Sequence, residues 1–171
     1  MLGFIIRFTS LFALSLWVGG GAAISFVVAP AVFQLAGSRQ RAGEIVGKVL
    51  QRFDTVAFTA GPVALVAILI EMAGTVGAAR TLTLKLALVA GMLGLALYSR
   101  FALTPEIREL RAAIGEIDKV PEDDPRRRAF GRLHGASVLC MLGEILLGAL
   151  AMGASVLTEA AAITHCGSQS P

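Results

Sequence analysis

Residues 133–157 read LHGASVLCMLGEILLGALAMGASVL, an apolar run that holds one carboxylate, Glu144, and no lysine or arginine. A helix rises 1.5 Å per residue, so about twenty such residues cross a ~30 Å hydrocarbon layer. Working outward, three further runs pass the same test: Phe8 to Ala36, Thr55 to Ala78 and Thr81 to Ala102. The chain of 171 residues is 56% hydrophobic and 16% charged, with a mean hydropathy of +0.75. Soluble domains carry ~25% charged residues, and a chain this short cannot bury four such runs in a core of its own. The fold class that follows is all-α, an integral membrane four-helix bundle. Residues 1–160 form a single four-span domain, with spans at about 8–36, 55–78, 81–102 and 133–157, and residues 161–171 form a polar outer tail.

The first run could be taken for a cleaved signal peptide. It continues unbroken through Ile24, Phe26, Val27, Val28 and Val32, well past the ~7 to 15 residues of a signal-peptide core, and so reads as a span. Pro30 removes one helical hydrogen bond near its far end and predicts a kink. Orientation follows from basic residues, which stay on the cytoplasmic side. Arg39, Arg41, Lys48 and Arg52 in one loop and Arg108, Arg111, Lys119, Arg126, Arg127, Arg128 and Arg132 in the other stand against Arg7, Arg80 and Lys85. Both long loops are therefore expected in the cytoplasm and both termini outside. If the cell is bacterial, the membrane is expected to be its inner (plasma) membrane.

The loops are amphipathic rather than formless. Ile45, Val46, Val49, Leu50 and Phe53 recur at helical spacing opposite Arg41, Glu44, Lys48 and Arg52. Thr104 reads as an N-cap with Pro105 at the first helical position, followed by the stripe Ile107, Leu110, Ile114 and Ile117. Both predict cytoplasmic amphipathic interfacial helices. Val120 to Pro125 breaks the second, and Asp124-Pro125 starts the last helix. Arg126, Arg127 and Arg128 offer contact to anionic lipid headgroups, or serve only as a topology signal. A net charge of +3 does not point to nucleic acid, because the basic residues lie between apolar runs rather than on one soluble face.

Ionisable residues at depth carry the functional reading, since each is costly to insert into lipid. Glu71 and Lys85 lie about seven residues on either side of a tight turn near Gly77 and Ala78, which places them at equal depth as a candidate salt bridge. Glu144 lies ten residues beyond His134, about 15 Å further along the axis and close to the bilayer midplane. Steps of 100° put His134, Ser137, Met141, Glu144 and Gly148 in one sector, so the bundle interior is expected on that side. Either Glu144 is protonated and hydrogen-bonded, with the indole of Trp17 as the donor at similar depth, or it faces a hydrated cavity. Small residues at Gly21 and Ser25, Gly74, Gly91 and Gly94, Gly148 and Gly153 read as packing faces. No metal site is expected: His165 and Cys166 in the tail are too few for zinc.

Trp17-Val-Gly-Gly, Ser25-Phe-Val-Val-Ala-Pro30-Ala-Val-Phe33, Ala42-Gly43 to Val46-Gly47 and Arg52 resemble the opening of the transmembrane-protein-205-like family, a domain of unknown function known as DUF4149. Tyr98 to Phe101, Pro105-Glu-Ile-Arg108 and Phe130-Gly-Arg-Leu-His134-Gly-Ala-Ser137 are similar to its closing motifs. The resemblance implies a four-span membrane protein and no biochemistry. The role expected first is a non-enzymatic scaffold or accessory protein without a cofactor, partnered by the bilayer and by a second copy or another membrane protein. The alternative is a small proton- or cation-coupled carrier or channel that uses Glu144, with Trp17, Ser137 and His134 lining its path. A haem-binding oxidoreductase is weaker still, because the only second histidine is in the tail.

Overall fold

The computed structural model describes residues 1–74 and 79–167. The turn expected near Gly77 and Ala78 lies outside the described residues, as do the side chains of His165 and Cys166. Regular structure among the described residues is helical throughout: α1 (Leu2–Ala23), α2 (Ala29–Leu35), α3 (Arg39–Gly74), α4 (Ala79–Tyr98), α5 (Thr104–Ile114) and α6 (Pro125–Gly167). A π-helical turn, Ile24–Val28, joins α1 to α2, and another, Ser99–Leu103, joins α4 to α5. The result is four rods long and apolar enough to cross a membrane, Leu2–Leu35, Arg39–Gly74, Arg80–Ile114 and Pro125–Ser155. The protein is a multi-pass membrane protein.

The two π turns have a common cause. Pro30 and Pro105 bring no N–H, and each ring crowds the carbonyl four residues back, at Phe26 and Phe101. A widened turn just before each proline relieves the crowding while the helix runs on. Ala29 N–H reaches back five residues to the carbonyl of Ile24, and Thr104 N–H to that of Ser99. Thr104 is consequently not the N-cap the sequence predicts. Its backbone is already helical, and its hydroxyl donates to the Ser99 carbonyl at 2.8 Å.

The amphipathic stretches differ from expectation in the same way. Residues 39–54 are the first part of α3, and 104–114, as α5, continue the third rod, so each stretch runs on from a membrane-crossing helix. Pro62 removes one backbone hydrogen bond within α3, but the helix runs on from Arg39 to Gly74. At about 54 Å, α3 is far longer than a ~30 Å hydrocarbon layer. The breaks fall instead at Gly37 and Gly115, whose positive φ of 74° and 71° suits glycine and ends each helix. Ser38 then caps α3 through Arg41 N–H, and Asp124 caps α6 through Arg126 N–H at 2.8 Å.

In cross-section α1 packs on α3 and α6, and α4 packs on the same two helices. The core is Leu14, Trp17, Ile68, Val89 and Met92, set among Ala57, Ala60, Ala64, Ala96 and Ala151. The alanine face of α3 lets α1 approach closely, which is how helices gain contact where lipid supplies no hydrophobic drive. Gly61 completes the seat of Trp17: a Cβ there would stand 2.6 Å from the indole ring. Of the small residues expected to pack, Gly21 meets Ile145 and Phe53, Gly91 meets Leu147, and Gly148 meets Val18 and Met92. Gly74, Gly94 and Gly153 have open space at the Cβ position. On the outside Phe4, Phe8 and Phe12 stack at 6.3 and 6.0 Å spacing along α1, an exposed aromatic ladder suited to lipid.

Candidate functional site

The polar sector of α6 faces inward from Ser137 onward, and each member meets a different helix. Ser137 Oγ lies 3.4 Å from Ser99 Oγ, within the second π turn. One turn on, Ser25 Oγ of the first π turn donates to Met141 Sδ at 3.0 Å. At the next level Trp17 Nε1 donates to Glu144 Oε2 at 3.2 Å. Gly148 then closes the seam against Val18 and Met92. Each proline-induced π turn thus presents a serine to the last helix.

Glu144, Ser137 and Trp17 therefore share one seam, as their depth and angular spacing predict, but His134 does not. It is exposed, its ring parallel to Phe130 at 6.0 Å, and the Arg111 guanidinium lies 5.8 Å from the Phe130 centroid. At that level α5 packs on α6 and brings Arg111 beside Phe130. His134 forms part of an aromatic and cationic stack at the loop end.

Glu71 and Lys85 do approach, at 3.9 Å, but they are two parts of a larger cluster. Arg7 Nε is the nearer partner of Glu71, at 2.8 Å, and Lys85 Nζ donates to Ser10 Oγ at 3.0 Å. Lys85 is 3% exposed and Arg7 37%. The cluster ties α1, α3 and α4 together near the end of the bundle where the chain begins. A second ion pair joins Arg100 of the second π turn to Asp54 of α3 at 3.3 Å, and Asp54 lies within Coulombic range of Glu144.

The arginine run is engaged with its own loop. Arg126 Nη2 holds the Asp124 carboxylate at 3.1 Å, Arg127 Nη2 holds Glu122 at 3.3 Å while its Nη1 donates to the Val120 carbonyl, and Arg128 Nε donates to the Asp123 carbonyl at 3.0 Å. The side-chain and backbone hydrogen bonds from Arg126 lower the pKa of Asp124. Arg126 and Arg127 thus fasten residues 120–124 to α6.

Sequence reasoning missed Arg7, Ser10, Ser25, Asp54, Ser99 and Arg100. Ser25 and Ser99 could have been found from the prolines, since each lies five or six residues before one. Arg7 and Asp54 look like end-of-span residues and carry no signal of the partners they reach across the bundle. Among the described residues no three His, Cys, Asp or Glu side chains gather as a metal group.

A family model, Domain of unknown function (DUF4149), matches residues 12–116. That stretch holds Trp17, both π turns, Asp54, the Glu71–Lys85 pair and Arg100; the motif at 130–137 and Glu144 lie beyond it. Comparison with curated proteins and with solved structures finds no match.

Proposed function

The chain belongs to the DUF4149 family, and from that premise we propose that it is a non-enzymatic scaffold or accessory protein of the membrane it crosses. The observation that carries this reading is the bond from Trp17 to Glu144. The midplane carboxylate is spent on a helix-to-helix tie, and the indole that ties it is 2% exposed within the core. The other ionisable groups inside the bundle serve in the same way, Glu71 with Arg7 and Lys85, and Asp54 with Arg100. Such an arrangement fixes four helices in one geometry. Its working surface is then the outside, offered to a second copy or to another membrane protein. The bundle sits in the inner (plasma) membrane if the cell is bacterial, with both long loops in the cytoplasm and both termini outside, on the balance of basic residues.

A carrier is the rival reading, supported by the nearness of Asp54 and Glu144. Proteoliposomes decide between them. For a scaffold, vesicles holding the purified protein pass protons and alkali or divalent cations no faster than empty ones. A cation- or proton-linked flux that Glu144→Gln abolishes without lowering the melting temperature would overturn the scaffold reading.

A further inference from the structure

The start of α6 carries a groove that neither the helix ties nor the scaffold reading uses. Pro125, Arg128, Gly131 and Arg132 line an open cavity of about 560 Å³. Arg128 and Arg132 are four residues apart, so their side chains rise from one face of the helix. Nearby acids do not neutralise them: Asp124 is held by Arg126, Glu122 by Arg127 and Glu116 by Lys119. Arg128 donates only to a carbonyl, that of Asp123. Arg132 is exposed and makes no hydrogen bond or ion pair with the described residues.

What lies along the same face identifies the occupant. Steps of 100° place Leu139, Leu146 and Leu150 within about 40° of Arg132, and they are 70%, 61% and 53% exposed. The inward polar seam of Ser137, Met141, Glu144 and Gly148 is on the opposite side. The outer face of α6 is thus a pair of guanidiniums above a strip of bare leucine, the order of a phospholipid's own phosphate and acyl chain.

We propose that this groove binds a phosphodiester anion, and that the anion is the headgroup of an acidic phospholipid. Arg128 and Arg132 donate to the phosphate oxygens in the fork geometry that suits such an anion, and the acyl chains follow the leucines. Nothing in this depends on the role of Glu144.

The test uses the purified full-length chain in zwitterionic micelles. Its melting temperature is followed against short-chain phosphatidylglycerol, short-chain phosphatidylcholine and inorganic phosphate, because a ligand of the folded state raises it by mass action. Phosphatidylglycerol is expected to raise it, less so as salt increases, while phosphatidylcholine and phosphate do not. Arg128→Gln and Arg132→Gln should each weaken the response about fivefold. Arg132→Gln breaks no hydrogen bond or ion pair with the described residues, so it keeps the test valid if Arg128→Gln fails to fold. Variants that respond like the parent, or a response to phosphatidylcholine equal to that of phosphatidylglycerol, overturn the site. An equal response to inorganic phosphate overturns the lipid assignment.

Discussion

Trp17 is the only tryptophan of the chain, so its fluorescence reports on Glu144 without ambiguity. A ring 2% exposed should emit in the blue and resist quenching by iodide. Glu144→Gln keeps an oxygen that accepts the same bond, so it should leave the spectrum unchanged and shift stability by less than about 1 kcal/mol. Trp17→Phe removes the donor and shrinks a well-packed core residue, and should cost about 2 kcal/mol in a denaturation curve in micelles. A cycle of Trp17→Phe with Glu144→Leu, which does remove the acceptor, tests the bond: if those two losses simply add, the bond contributes nothing. This pair was legible beforehand because depth along a helix is a matter of counting: Glu144 stands ten residues into the apolar run from His134, and Trp17 is the donor at that level. His134 was misread because angular position says which way a side chain points, not what stands opposite it.

Between helices, close approach and ion pairing make separate predictions. Gly61→Ala drives a methyl into the Trp17 ring, since its Cβ would lie 2.6 Å away. Overpacking of this kind should cost about 1–3 kcal/mol and shift the Trp17 emission to the red. The cluster at Glu71 is asymmetric, because Lys85 is 3% exposed and Arg7 37%. Glu71→Gln leaves the Lys85 charge buried beside Ser10 and should cost about 3 kcal/mol, whereas Arg7→Gln removes a half-solvated partner and should cost less than about 1. Equal losses from the two, read as unfolding in a denaturing detergent titration, would mean that Arg7 and Lys85 are equally desolvated. Equal depth across a hairpin exposed the Glu71–Lys85 contact in advance. Arg7 was not legible, because pairing across non-consecutive helices depends on their arrangement in cross-section. At the loop end Asp124 has its pKa lowered by its hydrogen bonds to Arg126, so its stabilising effect is present above the unfolded carboxylate pKa and is lost as pH falls through the lower folded value. Asp124→Ala should therefore make the 115–124 segment easier to nick with protease at neutral pH, and Asp124→Asn, which still caps but loses the charged bond to Arg126, should do so to a smaller degree. Matching sensitivity of the two variants would remove the cap from the account.

For the whole molecule, four apolar runs were enough to read the bundle, since lipid leaves helices as the way to satisfy so much apolar backbone. Their ends were not legible. Hydropathy marks where lipid ends, and it gave 55 and 102 as boundaries, while hydrogen bonding carries α3 back to Arg39 and the third rod on to Ile114. The extra turns matter for orientation, because they hold Arg39, Arg41, Lys48 and Arg52 on one rod and Arg108 and Arg111 on another, at the same end of the bundle as the arginines that open α6. Lysine and arginine resist transfer across the membrane, so that end should remain in the cytoplasm. An even number of spans then sets the first residues of α1 outside. The expectation is checked by placing single cysteines at Gly3, Gln40 and Glu122 in a background with Cys140→Ala and Cys166→Ser. A membrane-impermeant maleimide applied to intact cells should modify the first and spare the other two until the membrane is opened. Position 40 is well suited to this, since α3 exceeds the hydrocarbon thickness by about 24 Å and its start should stand clear of the headgroups. Labelling of Gln40→Cys and Glu122→Cys alone from outside would invert the protein and defeat the charge argument while leaving the bundle intact. Labelling of all three from one side is a different result: antiparallel rods of this length cannot place both ends of the bundle on one face of a bilayer, so the four-span architecture itself would fall.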